Sequence, residues 1–242
     1  MSRGVIRDCE ASGGYTPPSF TDKDISDGPG YFCACVHRLY PGWEPKVIVE
    51  LGVYDGRGSR KLAREFPSAQ VYSFECNPHV LTNLSEQKFP ENVTLVPQAV
   101  SSWCGAMSFW VDTKQQAASS RYRLAGTYPW ASGHKEEMVT VSCTRLDRYL
   151  ERQGVEKVDL IMADIQGGEL DALKGLGRFM RTVTAMQLEV IHKPIWTDSP
   201  LFPELHRYVT RQGFEVEIAT AMERVSNWFG DAVYYRPEGV ES

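Results

Sequence analysis

The chain has 242 residues, 42% of them hydrophobic and 24% charged, with a formal net charge of −5. That length suits one α/β domain with additions and a full core, and the negative balance excludes a global field that would gather nucleic acid or an anionic membrane. No apolar run reaches the roughly 18 residues of a membrane span, and the polar start Met1-Ser2-Arg3-Gly4 does not read as a signal peptide. The six cysteines (Cys9, Cys33, Cys35, Cys76, Cys104, Cys143) contain no C-x-x-C pair, so a reduced, cytoplasmic setting is expected.

Residues 1–45 are rich in Gly, Pro and Asp and read as an N-terminal extension, a lid over the site or a strap on the surface. Their one apolar patch, Tyr31 to Val36, predicts a short helix docked on the domain. Residues 46–242 read as a single domain. It opens with a β-branched run, Val47-Ile48-Val49-Glu50-Leu51, then a turn with Gly52, Gly56 and Gly58, then a helix from Ser59 to Phe66. Strand, glycine turn and helix are the start of a nucleotide-binding βαβ unit. A pyrophosphate needs bare amides at G-x-G-x-x-G spacing. Here the spacing is G-x-x-x-G-x-G, with Glu50 before it and Asp55 inside it, and two acids would repel phosphates. They suit a cofactor that carries an ammonium and no phosphate, and S-adenosylmethionine is one. An NAD-dependent oxidoreductase stays open as the alternative.

The next strand, Gln70 to Phe74, ends in Glu75-Cys76-Asn77, an acid placed where a ribose is gripped through its hydroxyls. A helix from His79 to Lys88 follows, with Leu81 and Leu84 expected inward, then a strand over 92–97 and the junction Gln98-Ala99-Val100-Ser101, whose small residues suit a flat adenine. Gly105 to Val111 and Met138 to Cys143 alternate and predict paired strands. The polar stretch between them, 112–137, is long enough to be functional, and is expected to recognise the acceptor; His134 within it is a secondary catalytic candidate. Thr144 to Asp147 reads as a capping box for a helix to Gln153. A buried strand from Val158 then delivers Asp164 at its tip, followed by Gly167, Gly168 and the helix-starting Glu169.

Thr144-Arg145-Leu146-Asp147, Val158-Asp159-Leu160-Ile161, Asp164-Ile165-x-Gly167-x-Glu169 and Leu173-Lys174-Gly175 together resemble the FkbM-type methyltransferases. Their pattern is T-L-D, then V-D-x-I-K-x-D-V-E-G-x-E, then L-x-G. Two positions depart from it: Met162 stands for the usual lysine and Gln166 for the usual acid. The resemblance implies a Rossmann-like class I fold, a seven-stranded mostly parallel sheet with an antiparallel final strand and helices on both faces. It also implies O-methylation of a hydroxyl on a sugar, glycan or secondary metabolite. If the missing acid is catalytic in relatives, a silent cofactor-binding scaffold is the third reading.

The strand Ala185 to His192 is again tipped by ionisable groups, which makes His192 the expected base, with Asp164 and Glu189 orienting it. A variant reading places Mg²⁺ on Asp164 and Glu189. The expected cofactor residues are Glu50, Gly52, Tyr54, Asp55, Gly56, Ser59, Glu75, Cys76, Asn77, Ala99, Val100 and Asp164. Residues 194–203 are expected to wall the acceptor pocket, Leu205 to Gln212 to be helical, and Phe214 to Ala219 and Ala232 to Tyr235 to be the last strands. Trp228 and Phe229 are candidates to stack on the acceptor or to fill core. Expected partners are a small molecule or glycan bearing a free hydroxyl, with no nucleic acid and no membrane span, and with oligomeric state open, a homodimer included.

Overall fold

The computed structural model describes residues 28–218 and 228–237. Cys9 and Ala219 lie outside the described residues. Ten strands and six α-helices follow in chain order: α1 (Gly28–Leu39), β1 (Val47–Leu51), α2 (Arg57–Glu65), β2 (Gln70–Phe74), α3 (Pro78–Ser85), β3 (Val93–Val96), β4 (Ala99–Val100), β5 (Gly105–Asp112), β6 (Glu136–Thr144), α4 (Leu146–Arg152), β7 (Leu160–Ala163), α5 (Glu169–Lys174), β8 (Ala185–Ile191), α6 (Phe202–Thr210), β9 (Glu215–Ile218) and β10 (Phe229–Tyr235).

Seven strands make one sheet in the order β3-β2-β1-β7-β8-β10-β9. All neighbours are parallel except β10, which runs antiparallel to both β8 and β9. This is the class I methyltransferase sheet the resemblance implied. Central strands covered on both faces must be apolar throughout, which is why β1, β7 and β8 read as continuous buried runs. One face packs α4, α5 and α6 through Leu146, Leu150, Leu170, Leu173 and Leu205; the other packs α1 and α2 through Phe32, Val36, Leu62 and Phe66. The apolar patch near residue 31 is thus a helix docked on the sheet, longer than expected.

β5 and β6 pair antiparallel as their alternation predicts, and β4 joins β6 to make a second, three-stranded sheet. Two local expectations are corrected. In α3 the inward residues are Val80 and Leu84, spaced i and i+4, while Leu81 is half-buried. Thr144 to Asp147 forms no capping box: Arg145 is the N-cap, no side chain caps the helix, and the Asp147 carboxylate is taken by the Arg145 guanidinium.

Strand order reverses between β1 and β7, the place where open α/β sheets bind ligands. Register makes that edge informative. Leu51 pairs with Phe74 and Ala163, and Ala163 with Leu188, so the next residues along are Glu75, Gly52, Asp164 and Glu189; Asp231 on β10 pairs with Glu189. One row across five strands therefore carries four carboxylates and a glycine.

Candidate functional site

A cavity enclosing about 800 Å³, partly open to solvent, lies over the tips of β1, β2 and β7. Gly52, Tyr54, Glu75, Cys76, Asn77, Ala99, Val100 and Asp164 line it, all expected cofactor residues. Glu75 closes one end and is only 9% exposed. Its carboxylate accepts from the backbone N–H groups of Tyr54 (3.1 Å), Cys76 (2.7 Å) and Asn77 (2.8 Å). A carboxylate has about four lone-pair sites, so about one remains for a ligand hydroxyl. Asn77 caps α3 by accepting from the His79 N–H and donates to Ser119 Oγ, which ties the strand tip to the 112–137 segment.

The structure places Glu50, Asp55, Gly56 and Ser59 away from the cavity lining. Glu50 is buried beneath the turn, where its carboxylate accepts from Ser59 and from Ser73 Oγ (2.7 Å). Burial pushes its carboxyl up to about 7, against the pull of those two hydroxyls. Asp55 sits on the rim, paired with Arg57 (2.6 Å). The glycines are spent on the protein itself. A Cβ on Gly52 would fall inside the Asp164 carbonyl oxygen, one on Gly56 would lie 2.9 Å from Phe89, and one on Gly58 would collide with Glu50 and lie 2.8 Å from Met162. Gly52 and Gly56 also need positive φ, +87° and +78°. The three glycines thus serve close packing of the turn on β7, Phe89 and Glu50.

Asp164, at the tip of β7, is exposed by its surface to the solvent of the cavity, while the protein around the cavity still withholds bulk water from its carboxyl. Burial raises its carboxyl, Gln166 opposes that, and the Glu75 charge adds to it. Gln166 Nε2 donates to Asp164 Oδ1 (2.5 Å) and to both oxygens of Glu189 (3.1 Å each). Its backbone sits at φ +57°, and its carbonyl accepts from Ser120 Oγ (2.6 Å). Burial, then the charges of Asp164, Glu169 and Asp231, push the Glu189 carboxyl well up. Burial also lifts Glu169 to about 8, although its Oε1 accepts from the Ile165 N–H at 2.8 Å.

Glu189 and His192 do not line the cavity. Glu189 reaches it only through Gln166. The His192 ring packs on Phe202 with centroids 5.0 Å apart, its Nε2 is buried without a hydrogen-bond partner, and burial lowers its pKa. It is therefore placed apart from Asp164 and the cavity. The Mg²⁺ variant does not fit either. An amide donor, not an open gap, bridges Asp164 and Glu189, and among the described residues no group of three or more His, Cys, Asp or Glu is arranged to hold a metal.

The 112–137 segment supplies Gln116, Ala117, Ser119 and Arg121 to the lining, and β5 supplies Met107 and Phe109. The period-two burial of Met107, Phe109 and Val111 carried a signal for that wall that the sequence reading spent on strand pairing. Arg121 pairs with Asp171 and is sandwiched by the rings of Trp103 and Tyr122, 4.7 Å from each. His134 has a fixed place after all, its Nδ1 on Asp112. Burial would raise the Asp112 carboxyl, but the N–H groups of Gln115 and Lys114, with His134, hold it below the usual range.

A family model for the methyltransferase FkbM domain matches residues 50–216. The chain belongs to this family. It is 28% identical over 138 residues to the 2-O-methyltransferase NoeI of Sinorhizobium fredii, a match covering 53% of this chain and 56% of that protein. It is 26% identical over 124 residues to the hexuronic acid methyltransferase AglP of Haloferax volcanii, covering 50% of this chain and 47% of that one. The FkbM chain described here thus spans about half the length of the curated relatives it matches. Among solved structures, the N-terminal domain of EvdMO1 with SAH bound aligns with a TM-score of 0.47 and 15% identity, covering 88% of this chain and 82% of that one. No described helix is long and apolar enough to cross a membrane.

Proposed function

We propose that this FkbM protein transfers a methyl group from S-adenosylmethionine to a hydroxyl of a sugar. The observation that carries the reading is the charge of the cavity. Among the described residues its lining offers two carboxylates, Glu75 and Asp164, and a single cation, Arg121, already paired with Asp171. A ribose, a sulfonium and an ammonium suit that balance; a pyrophosphate would meet two acids and no free cation. The sugar class follows the names of the two relatives, a 2-O-methyltransferase and a hexuronic acid methyltransferase.

The remaining acceptor site of Glu75 takes one ribose hydroxyl. Ala99, Val100, Met107 and Phe109 give a flat apolar wall for adenine. When bound, S-adenosylmethionine supplies the electrophilic methyl carbon. The chain must hold the acceptor oxygen in line with the S–CH₃ axis, and Gln116, Ala117, Ser119 and Arg121 of the 112–137 segment line the cavity beside Asp164, whereas no residue of 194–203 does. Bound there, the cofactor would supply the methyl group and its sulfur would keep the C–S electron pair, while Asp164 would accept the acceptor's hydroxyl proton. A carboxyl raised by burial is a better base near neutral pH than an exposed one, and Gln166 aims it. This role moves the base from His192, which the cavity does not contain, to the acid that it does.

Calorimetric titration with S-adenosylhomocysteine and NAD in parallel, followed by transfer of labelled methyl to a panel of methyl glycosides, tests the proposal. The expected result is micromolar binding of the former alone and label in at least one glycoside. Binding of NAD alone overturns the cofactor assignment. Binding without transfer to any hydroxyl favours the silent scaffold.

A further inference from the structure

Where the strap after β8 meets the 112–137 segment, three aromatic side chains meet edge to face. Tyr128 lies 5.3 Å from Trp130 and 5.5 Å from Trp228 between ring centroids, and Trp130 lies 6.3 Å from Trp228, at interplanar angles of 65°, 75° and 74°. Edge-to-face packing of this kind fixes the rings against one another. The backbone holds them too. The Trp228 carbonyl accepts from the N–H groups of His192 (2.7 Å) and Lys193 (3.3 Å), the Tyr128 N–H donates to Ala125, and the Ala125 N–H to Ile195 (2.7 Å). The cluster is nevertheless open: Trp130 is 51% exposed, and Tyr128 and Trp228 are only half-buried. Tyr128 and Trp228 rest on the small core of Ile191, Ile195 and Trp196, and Trp130 is the ring of the three that is most exposed.

We propose that Tyr128, Trp130 and Trp228 form a shelf on which the apolar face of the acceptor's pyranose ring stacks. The inference rests on the sugar reading above and adds the residues that would select for it. A pyranose presents a C–H face and a hydroxylated edge, and beside these aromatic faces the Lys193 ammonium, over the Trp228 ring (5.2 Å), is a donor for ring hydroxyls. The shelf lies at the same end of the sheet as the reacting centre. Trp228 is anchored at the end of β8, one strand from β7, and neighbouring strands lie about 4.8 Å apart. Tyr128 lies within electrostatic reach of Glu189, and Gln166 bridges Glu189 to Asp164 in the cavity. Nucleobases stack on aromatics as well, but a strand of nucleic acid needs a basic track, and here the net charge is −5 and a row of carboxylates borders the shelf.

The test uses the full chain, labelled S-adenosylmethionine and methyl hexosides, with Trp130→Ala, Trp130→Phe and, as a surface control away from the site, Met138→Ala. Trp130→Ala should raise KM for the hexoside about tenfold while kcat and S-adenosylhomocysteine affinity hold, and Trp130→Phe should restore most of the loss. Hexoside titration should also change the tryptophan emission of the parent protein, with a smaller change at about tenfold higher hexoside in Trp130→Ala, where Trp228 remains. A Trp130→Ala enzyme whose KM stays within about twofold of the parent overturns the shelf and leaves the sugar reading standing. A parent protein that methylates no hexoside, with no emission change, overturns the sugar reading and the shelf with it. An emission change produced by single-stranded oligonucleotide and not by hexosides overturns the shelf as a sugar site.

Discussion

Replacing Gln166 by Leu removes the amide donor that bridges Asp164 and Glu189 while keeping an unbranched Cβ. The strain of the left-handed backbone at φ +57° is therefore carried over, and what changes is the bridge. A buried acceptor stripped of its donor costs about 1–3 kcal/mol, and protonation of Glu189 caps that cost. The folded Glu189 carboxyl already sits above its unfolded value, so its stability contribution is complete below the unfolded pKa and is lost as pH rises through the folded one. Leu raises the folded value further, so the deficit of the variant must grow on the alkaline side. We expect about 2 kcal/mol at pH 9, a drop in Tm of about 4–8 °C for a chain of this size, and a clearly smaller deficit at pH 5. Thermal melts of both proteins across that range measure it. An equal deficit at both pH values, or none at pH 9, would refute the bridging role.

Glu50→Gln keeps an acceptor for Ser59 and Ser73 and removes a carboxyl raised to about 7. The parent loses stability as pH climbs from the unfolded value through about 7, so the variant should be the more stable by on the order of 2 kcal/mol at pH 9 and equal at pH 4. Denaturant titration checks this, and S-adenosylhomocysteine affinity within about twofold of the parent would separate Glu50 from direct contact with the ligand. Glu75→Ala should weaken S-adenosylhomocysteine by about 10–100-fold in calorimetry, the worth of one charge-assisted hydrogen bond. Asp164→Asn should cut kcat by about 10²–10⁴ and abolish its rise with pH through the raised carboxyl, with ligand affinity little changed. A pH profile that keeps its limb in this variant moves the base elsewhere.

The sheet was readable because central strands buried on both faces leave uninterrupted apolar runs, as at β1, β7 and β8, and because Glu75 and Asp164 directly follow them. The row of carboxylates was half readable: each acid stood at a strand end, but that they share one row is a fact of register between strands far apart in sequence. Glu50 misled for the same reason. It stands two residues before Gly52 on the same strand, and only the packing of Ser59 and Ser73 beneath the turn shows that its charge is internal. His192 looked like a rim residue by position, yet its ring turns onto Phe202. Thr144 and Asp147 had cap spacing, but Arg145 between them is a stronger partner for the acid than a backbone N–H. The β5 wall follows from the alternation of Met107, Phe109 and Val111, whereas the wall from Gln116 to Arg121 arises from tertiary folding of a segment whose own sequence carries no strong period.

Ile191, Ile195 and Trp196, with Tyr122, Leu124, Tyr128, Leu201 and Trp228 against them, make a small separate core above the sheet, and Leu124 bridges to Trp196 through the backbone. Two stretches some seventy positions apart are thereby one mechanical piece. Acceptor choice in this chain should be inherited and exchanged as that piece. A chimaera that imports the 112–137 stretch from a relative without the matching 191–203 stretch would bring half of a hydrophobic interface and leave the other half wet. Crossovers between family members that alter which sugar is taken are expected to succeed in pairs, at both places at once.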